Sequence, residues 1–348
     1  MRFVLVLLMF FGIFLYDFFD LLLGVNGLIF VWANVSLLLI SGLLFGKLKI
    51  YKSAVFYFFF FLLCFATILF RVKGGVFWLS GPFLHLIYIL LFVLLPWWIG
   101  KNVNYVWLND CNEKLLKWGL VFLLFNVVFG AGILDSFRGI SDSASGIRLG
   151  VTGNIVMLMG FRQKVPRWLQ ILSLIVGVTL IAISQTRSQA LFAVFFLVYL
   201  SVRRPVTLIF IASFVVIYFN KTILLIKQLQ ITNRFMMVAQ TGRNPREELY
   251  LESFRVIVRN PFGGTILLPG GVYPHNIILE GLMTFGVLGG VIFFGWVTYQ
   301  LIKAQYKGFI LLAIFTGFFS FSLITHPFLW FVLSISNHYE SIIHSTKK

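Results

Sequence analysis

The stretch 277–302 reads IILEGLMTFGVLGGVIFFGWVTYQLI, and Glu280 is its one residue charged at neutral pH. At about 1.5 Å per residue, a helix of this length exceeds the roughly 30 Å hydrocarbon core of a bilayer. It follows directly on Tyr273-Pro274-His275-Asn276, so the apolar run begins at a turn carrying an imidazole. Similar runs recur along the chain. Spans are expected at about 3–23, 27–46, 53–70, 83–100, 118–134, 149–161, 168–184, 189–202, 205–219, 277–302, 308–325 and 327–340. The sixth is short enough to be re-entrant, and the last short enough to be only half-inserted.

Composition agrees with this pattern. Of 348 residues, 60% are hydrophobic and 11% charged, which excludes an ordinary soluble globular class. The expected fold is all-α: a polytopic transmembrane helical bundle of about 11–12 spans, forming a single integral membrane domain over 1–348. Residues 220–276 form one long loop within it, containing short helices. The first run follows Arg2 without a small-residue cleavage site, so it is expected to be retained as a span. Cys64 and Cys111 stand in different segments, one in an apolar run and one in a polar loop, with no metal-ligand or disulfide pattern.

A formal charge of +17 would suggest nucleic acid in a soluble protein. Here the short loops explain most of it. Basic clusters at 47–52, 101–117, 162–167, 203–204 and 303–307 fall on one side of a twelve-span arrangement, with Arg2, Lys347 and Lys348. That side is cytoplasmic by the positive-inside rule, which puts both termini inside. Eleven of the sixteen cytoplasmic cations are Lys, whereas nine of the twelve on the other side are Arg. The planar guanidinium fork suits phosphate and carboxylate, so an anionic ligand is expected outside the cytoplasm.

Candidate chemistry gathers on that outer side. Over 244–260, Asn244 can cap a helix, Pro245 suits its first position, and Glu247 stands where a capping-box acid belongs. Tyr250, Phe254, Ile257 and Val258 would form its apolar stripe, with Glu248, Glu252, Arg255 and Arg259 on the opposite face. Arg255 and Arg259 read as intrahelical partners and dipole charges, not as ligand-binding groups. Arg243 precedes the cap in Thr241-Gly242-Arg243, where glycine permits close approach to a ligand. Arg187 stands in Ser184-Gln185-Thr186-Arg187-Ser188, between two apolar runs, and is either directed at a water-filled cavity or snorkelling. Arg148, just before the sixth span, carries the same reasoning.

Of five histidines, His85 reads as a packed residue, His338 and His344 belong to the tail, and His326 stands at an outer turn in a structural setting. His275 is the candidate base: it is expected at the outer surface near a helix N-terminus, where nearby arginines would keep the imidazole neutral. Tyr273, Asn276 and Glu280 are supporting candidates. A P-loop, a nucleophile elbow, an HExxH zinc motif and a paired acidic metal motif are all missing from the sequence. Metal-independent chemistry without a cofactor is expected.

These residues resemble a known family. His275-Asn276, followed after nine residues by Gly286-Val287-Leu288-Gly289, resembles the histidine–asparagine–glycine motif of the O-antigen ligases, which the O-antigen polymerases share more loosely. Thr241-Gly242-Arg243, Asn260-Pro261-Phe262-Gly263-Gly264 and Thr186-Arg187-Ser188 resemble that family's loop-opening, post-helix and short-link elements. The likeness covers roughly 148–295. It implies a multi-pass enzyme of the bacterial inner membrane with its site facing the periplasm. The donor and acceptor would be undecaprenyl-diphosphate-linked oligosaccharides, the setting would be membrane lipid, and a chain-length regulator protein is a candidate partner. By motif position, Arg187 and Arg243, with Arg148, would bind the diphosphate, and His275 would activate the acceptor hydroxyl. Gly290-Val291 stands where the ligase motif carries hydroxyl residues, which favours the polymerase over the ligase. A polytopic transporter or lipid-sugar flippase is the alternative from another class, kept open by Asp17 and Asp20 within the first span.

Overall fold

The computed structural model describes residues 2–23, 34–38, 40, 42, 90–103, 105–129, 144–162, 164–184, 186–203, 245–264, 268, 274, 276–304, 306–319 and 326–335. Among these, all regular structure is helical. The elements are α1 (Arg2–Leu23), α2 (Leu95–Lys101, entered through a π-helical turn Leu90–Leu94), α3 (Tyr105–Phe129), α4 (Ala144–Gly160) and α5 (Arg167–Ser184). They continue as α6 (Arg187–Arg203), α7 (Pro245–Arg259), α8 (Ile277–Lys303), α9 (Lys307–Phe319) and α10 (Pro327–Ile335). Among the described residues, two helices, α5 and α8, are long and apolar enough to cross a membrane. The expected spans at 53–70 and 205–219, and most of the loop 220–276, lie outside the described residues.

Two of the shorter runs are enclosed by other helices. The sixth run forms the 17-residue α4, and every residue from Leu149 to Gly160 is buried. It is enclosed by the other described helices. Such a helix meets protein on all sides, so it needs neither lipid-matched length nor an apolar surface. Its polar and small residues fit this position: Gly153 lies against the Gly177 carbonyl of α5, and an added Cβ there would approach it to 2.7 Å. The last run forms α10, and all nine of its residues are buried. Phe10 of α1 meets Phe331 of α10 edge-on at 5.5 Å and Phe309 of α9 at 5.2 Å, so α10 is packed into the core.

The polar segment 101–117 is also not a loop throughout. α3 begins at Tyr105, which leaves Cys111 half-buried on a helix, where desolvation raises its thiol pKa. Asn112 is buried there and donates to the Met159 carbonyl at the end of α4 (3.0 Å). Around it a lock closes this end of the bundle. Arg162 donates to the Asn109 side-chain oxygen and lies over the Tyr306 ring, its guanidinium carbon 3.7 Å from the centroid. Tyr306 in turn donates to the Tyr105 carbonyl (3.0 Å), and Lys164 pairs with Asp110 (2.8 Å). Burial lowers the Arg162 pKa and raises that of the Tyr306 phenol. Arg162 is therefore a packed cross-link and not simply a retention charge.

Candidate functional site

The opposite end of the bundle carries the residues singled out by sequence. α8 starts there, and Asn276 is its N-cap: the backbone is extended (φ −145°, ψ 114°), and the side-chain oxygen accepts from the Ile278 and Leu279 amides at 3.0 and 3.2 Å. Asn276, a supporting candidate, gives its acceptor to the helix end, which fixes the direction of the chain just after position 275. Glu280, one turn on, is buried and favourably placed near the positive end of the helix.

α8 is interrupted at Gly286, where φ is 74° and ψ is 176°. Such a conformation is open essentially to glycine alone. The segment after α7 fills the interruption. The Gly264 amide donates to the Thr284 carbonyl (3.0 Å), and the Val287 amide donates to the Pro261 carbonyl (2.9 Å). Gly263 and Gly264 also have positive φ, 79° and 90°. The two backbones touch: a Cβ on Gly263 would lie 2.3 Å from the Gly286 nitrogen, and one on Gly286 would lie 2.6 Å from the Pro261 oxygen. Two of the elements that carry the sequence resemblance, Asn260–Gly264 and Gly286–Gly289, are thus one hydrogen-bonded junction.

α7 itself begins at Pro245, carries Glu247 and Glu248 in its first turn and Arg259 in its last. Arg255 pairs with Glu252 (3.0 Å), as the spacing predicts. The apolar stripe divides between a buried and an exposed part. Ser253, Val256 and Ile257 are buried with half-buried Leu249 beside them, packing with Leu268 and Met283, while Phe254 and Val258 are exposed. Apolar pattern alone cannot separate a face that meets protein from one that meets another apolar medium.

A second junction joins α4, α6 and α9. Asn154 of α4, Gln189 of α6 and Thr316 of α9 are fully buried. The Asn154 amide donates to the Gln189 side-chain oxygen (2.9 Å) and carbonyl (3.1 Å), and the Gln189 amide donates to the Thr316 hydroxyl (3.1 Å). The Thr316 hydroxyl donates in turn to the Leu312 carbonyl (2.7 Å). Ser184, at the end of α5, contacts Thr186 (2.9 Å), and an added Cβ on Gly150 would meet both Ser184 and Gln189. Sequence reading missed this network, although polar residues inside apolar runs are the signal that finds it.

These contacts bring the start of α4, the α5–α6 link, the end of α9 and the start of α8 to one end of the bundle. Arg148 is half-buried two residues before Gly150, and its carbonyl accepts from Thr152 (2.9 Å). Arg187 is the first residue of α6, two before Gln189; its side chain lies outside the described residues. Gly317, beside Thr316, packs against Ile277, the first residue of α8, and against His326. His326 is buried, with Nε2 2.8 Å from the Ala313 carbonyl, in the structural role expected of it. His275, Arg243 and Tyr273 lie outside the described residues, as do the side chains of Asp17 and Asp20. Among the described residues, no group of three or more His, Cys, Asp or Glu gathers to hold a metal. No family model matches the chain, and neither a curated protein nor a solved structure does.

Proposed function

We propose that the chain is a polytopic glycosyltransferase of the bacterial inner membrane, an O-antigen polymerase that joins undecaprenyl-diphosphate-linked glycans at the periplasmic face. The observation that carries this reading is the junction at Gly286. Elements of the resemblance separated by more than twenty residues, Asn260–Gly264 and Gly286–Gly289, meet backbone to backbone on the helix that Asn276 caps. The Arg148 and Arg187 segments approach that same end.

In the proposed reaction an acceptor sugar hydroxyl attacks the anomeric carbon of the donor glycan. The new C–O bond forms as the bond from that carbon to the diphosphate oxygen breaks, and undecaprenyl diphosphate leaves. His275 takes the hydroxyl proton, and Arg187, Arg243 and Arg148 balance the charge that develops on the leaving diphosphate. A broken apolar helix is also a transporter feature. At Gly286, however, the Thr284 carbonyl and the Val287 amide are engaged by the loop, which speaks for an anchored loop and not for an ion-coordinating break.

Deletion in the parent cell is the test. Lipopolysaccharide bearing single repeats fits the polymerase. Long polymer left on its lipid carrier fits the ligase instead, and loss of repeat units from the periplasmic side fits a flippase.

A further inference from the structure

The surface of α7 divides into three stripes, roughly a third of a turn apart at 3.6 residues per turn. One, Leu249, Ser253 and Val256, faces α8. A second holds the charges Glu248, Glu252, Arg255 and Arg259. The third holds Leu251, Phe254 and Val258, which are 56%, 62% and 71% exposed. One turn beyond Val258 comes Phe262, 89% exposed, at the junction with Gly286. A helix with a free aqueous surface would need only the first two stripes.

The third stripe does not end at Phe262. The backbone of Phe262 abuts Gly286, and from there the outward face of α8 continues through Leu288 (76% exposed), Val291 (62%) and Ile292 (57%). That face belongs to a helix long and apolar enough to cross a bilayer. We infer that α7 lies in the outer membrane–water boundary, with Leu251, Phe254, Val258 and Phe262 in the acyl-chain margin and the charged stripe turned to the headgroups. The partner is the bilayer itself. The inference rests on the reading that α8 crosses the membrane with Asn276 at its outer end. A helix with apolar, charged and protein-facing stripes is well suited to that plane.

The test uses the full chain with Cys64 and Cys111 replaced by Ser, reconstituted into phosphatidylethanolamine/phosphatidylglycerol vesicles. Nitroxide labels are placed one at a time at Phe254→Cys, Val258→Cys, Glu248→Cys, Arg259→Cys and, as reference, Val291→Cys. Relaxation is measured with oxygen, which partitions into lipid, and with a water-soluble nickel chelate. The expected result is oxygen dominance at 254, 258 and 291, shallower at 254 and 258, with nickel dominance at 248 and 259. Nickel dominance at 254 and 258 beside a lipid-exposed 291 overturns the inference and leaves the membrane reading of α8 standing. Exclusion of both reagents at 254 and 258 also overturns it, because the stripe is then covered by protein. Nickel dominance at 291 overturns the membrane reading of α8 as well.

Discussion

Gly286→Ala strikes the junction directly. A Cβ at position 286 would stand 2.6 Å from the Phe262 carbonyl carbon and the Pro261 oxygen, and 2.9 Å from the Gly263 nitrogen. All three are backbone atoms, so no side-chain rotation relieves the clash. The positive φ of 74° adds strain of about 1–3 kcal/mol for a non-glycine residue. If α8 instead straightens into continuous helix, the two hydrogen bonds to Pro261 and Gly264 are lost, at about 0.5–1.5 kcal/mol each. Either route weakens docking of the loop by about 1–3 kcal/mol while leaving the α4–α5 and α1–α9–α10 packing untouched. Gly295 supplies the control. It lies in the same helix with nothing within 4 Å of an added Cβ, so Gly295→Ala should be neutral or stabilising by up to about 1 kcal/mol. The assay is limited proteolysis of purified protein in nanodiscs, followed by cleavage within 245–264, together with polymer length on gels. The Gly286→Ala protein should accumulate normally, be cut faster in that segment and make no polymer. Wild-type protection and polymer from Gly286→Ala would refute the reasoning.

Three further outcomes follow from the same structure. Gln189→Leu removes the bonds to Asn154 and Thr316 and should lower stability by about 1–3 kcal/mol; a double-mutant cycle with Asn154→Leu should show clear coupling in thermal melts. Arg162→Lys keeps the charge but loses the guanidinium over Tyr306, which should lower stability by about 1 kcal/mol and have no further effect once Tyr306 is Leu. Under the proposed mechanism, polymer synthesis by purified protein should survive EDTA; strong dependence on added Mg²⁺ or Mn²⁺ would contradict it.

Hydropathy made α5 and α8 legible, and the Pro245 start and the Arg255–Glu252 pairing made α7 legible. It could not show the surroundings of α4 and α10. Length is a criterion for helices that meet lipid, and both of these are enclosed by other helices. Which apolar residues of α7 are buried was not legible, because Phe254 and Val258 are as apolar as Val256 and Ile257, though they point elsewhere. Position 286 is one of five glycines in 277–302, and nothing in their spacing marks which one breaks the helix. Asn276 drew notice as a neighbour of His275, yet the geometry gives its side chain to the helix cap. The Asn154–Gln189–Thr316 network joins residues more than a hundred positions apart, a pairing that local pattern does not encode.

The most direct measurement is glycan transfer by the purified chain, supplied only with undecaprenyl-diphosphate-linked repeat units in lipid. Wild-type protein should release undecaprenyl diphosphate and build a ladder of lengthening polymer, and His275→Ala, Arg243→Ala and Arg187→Ala should each abolish it without loss of folded protein. No polymer from the wild type would contradict the proposed activity, and a normal ladder from His275→Ala would contradict the assignment of the base.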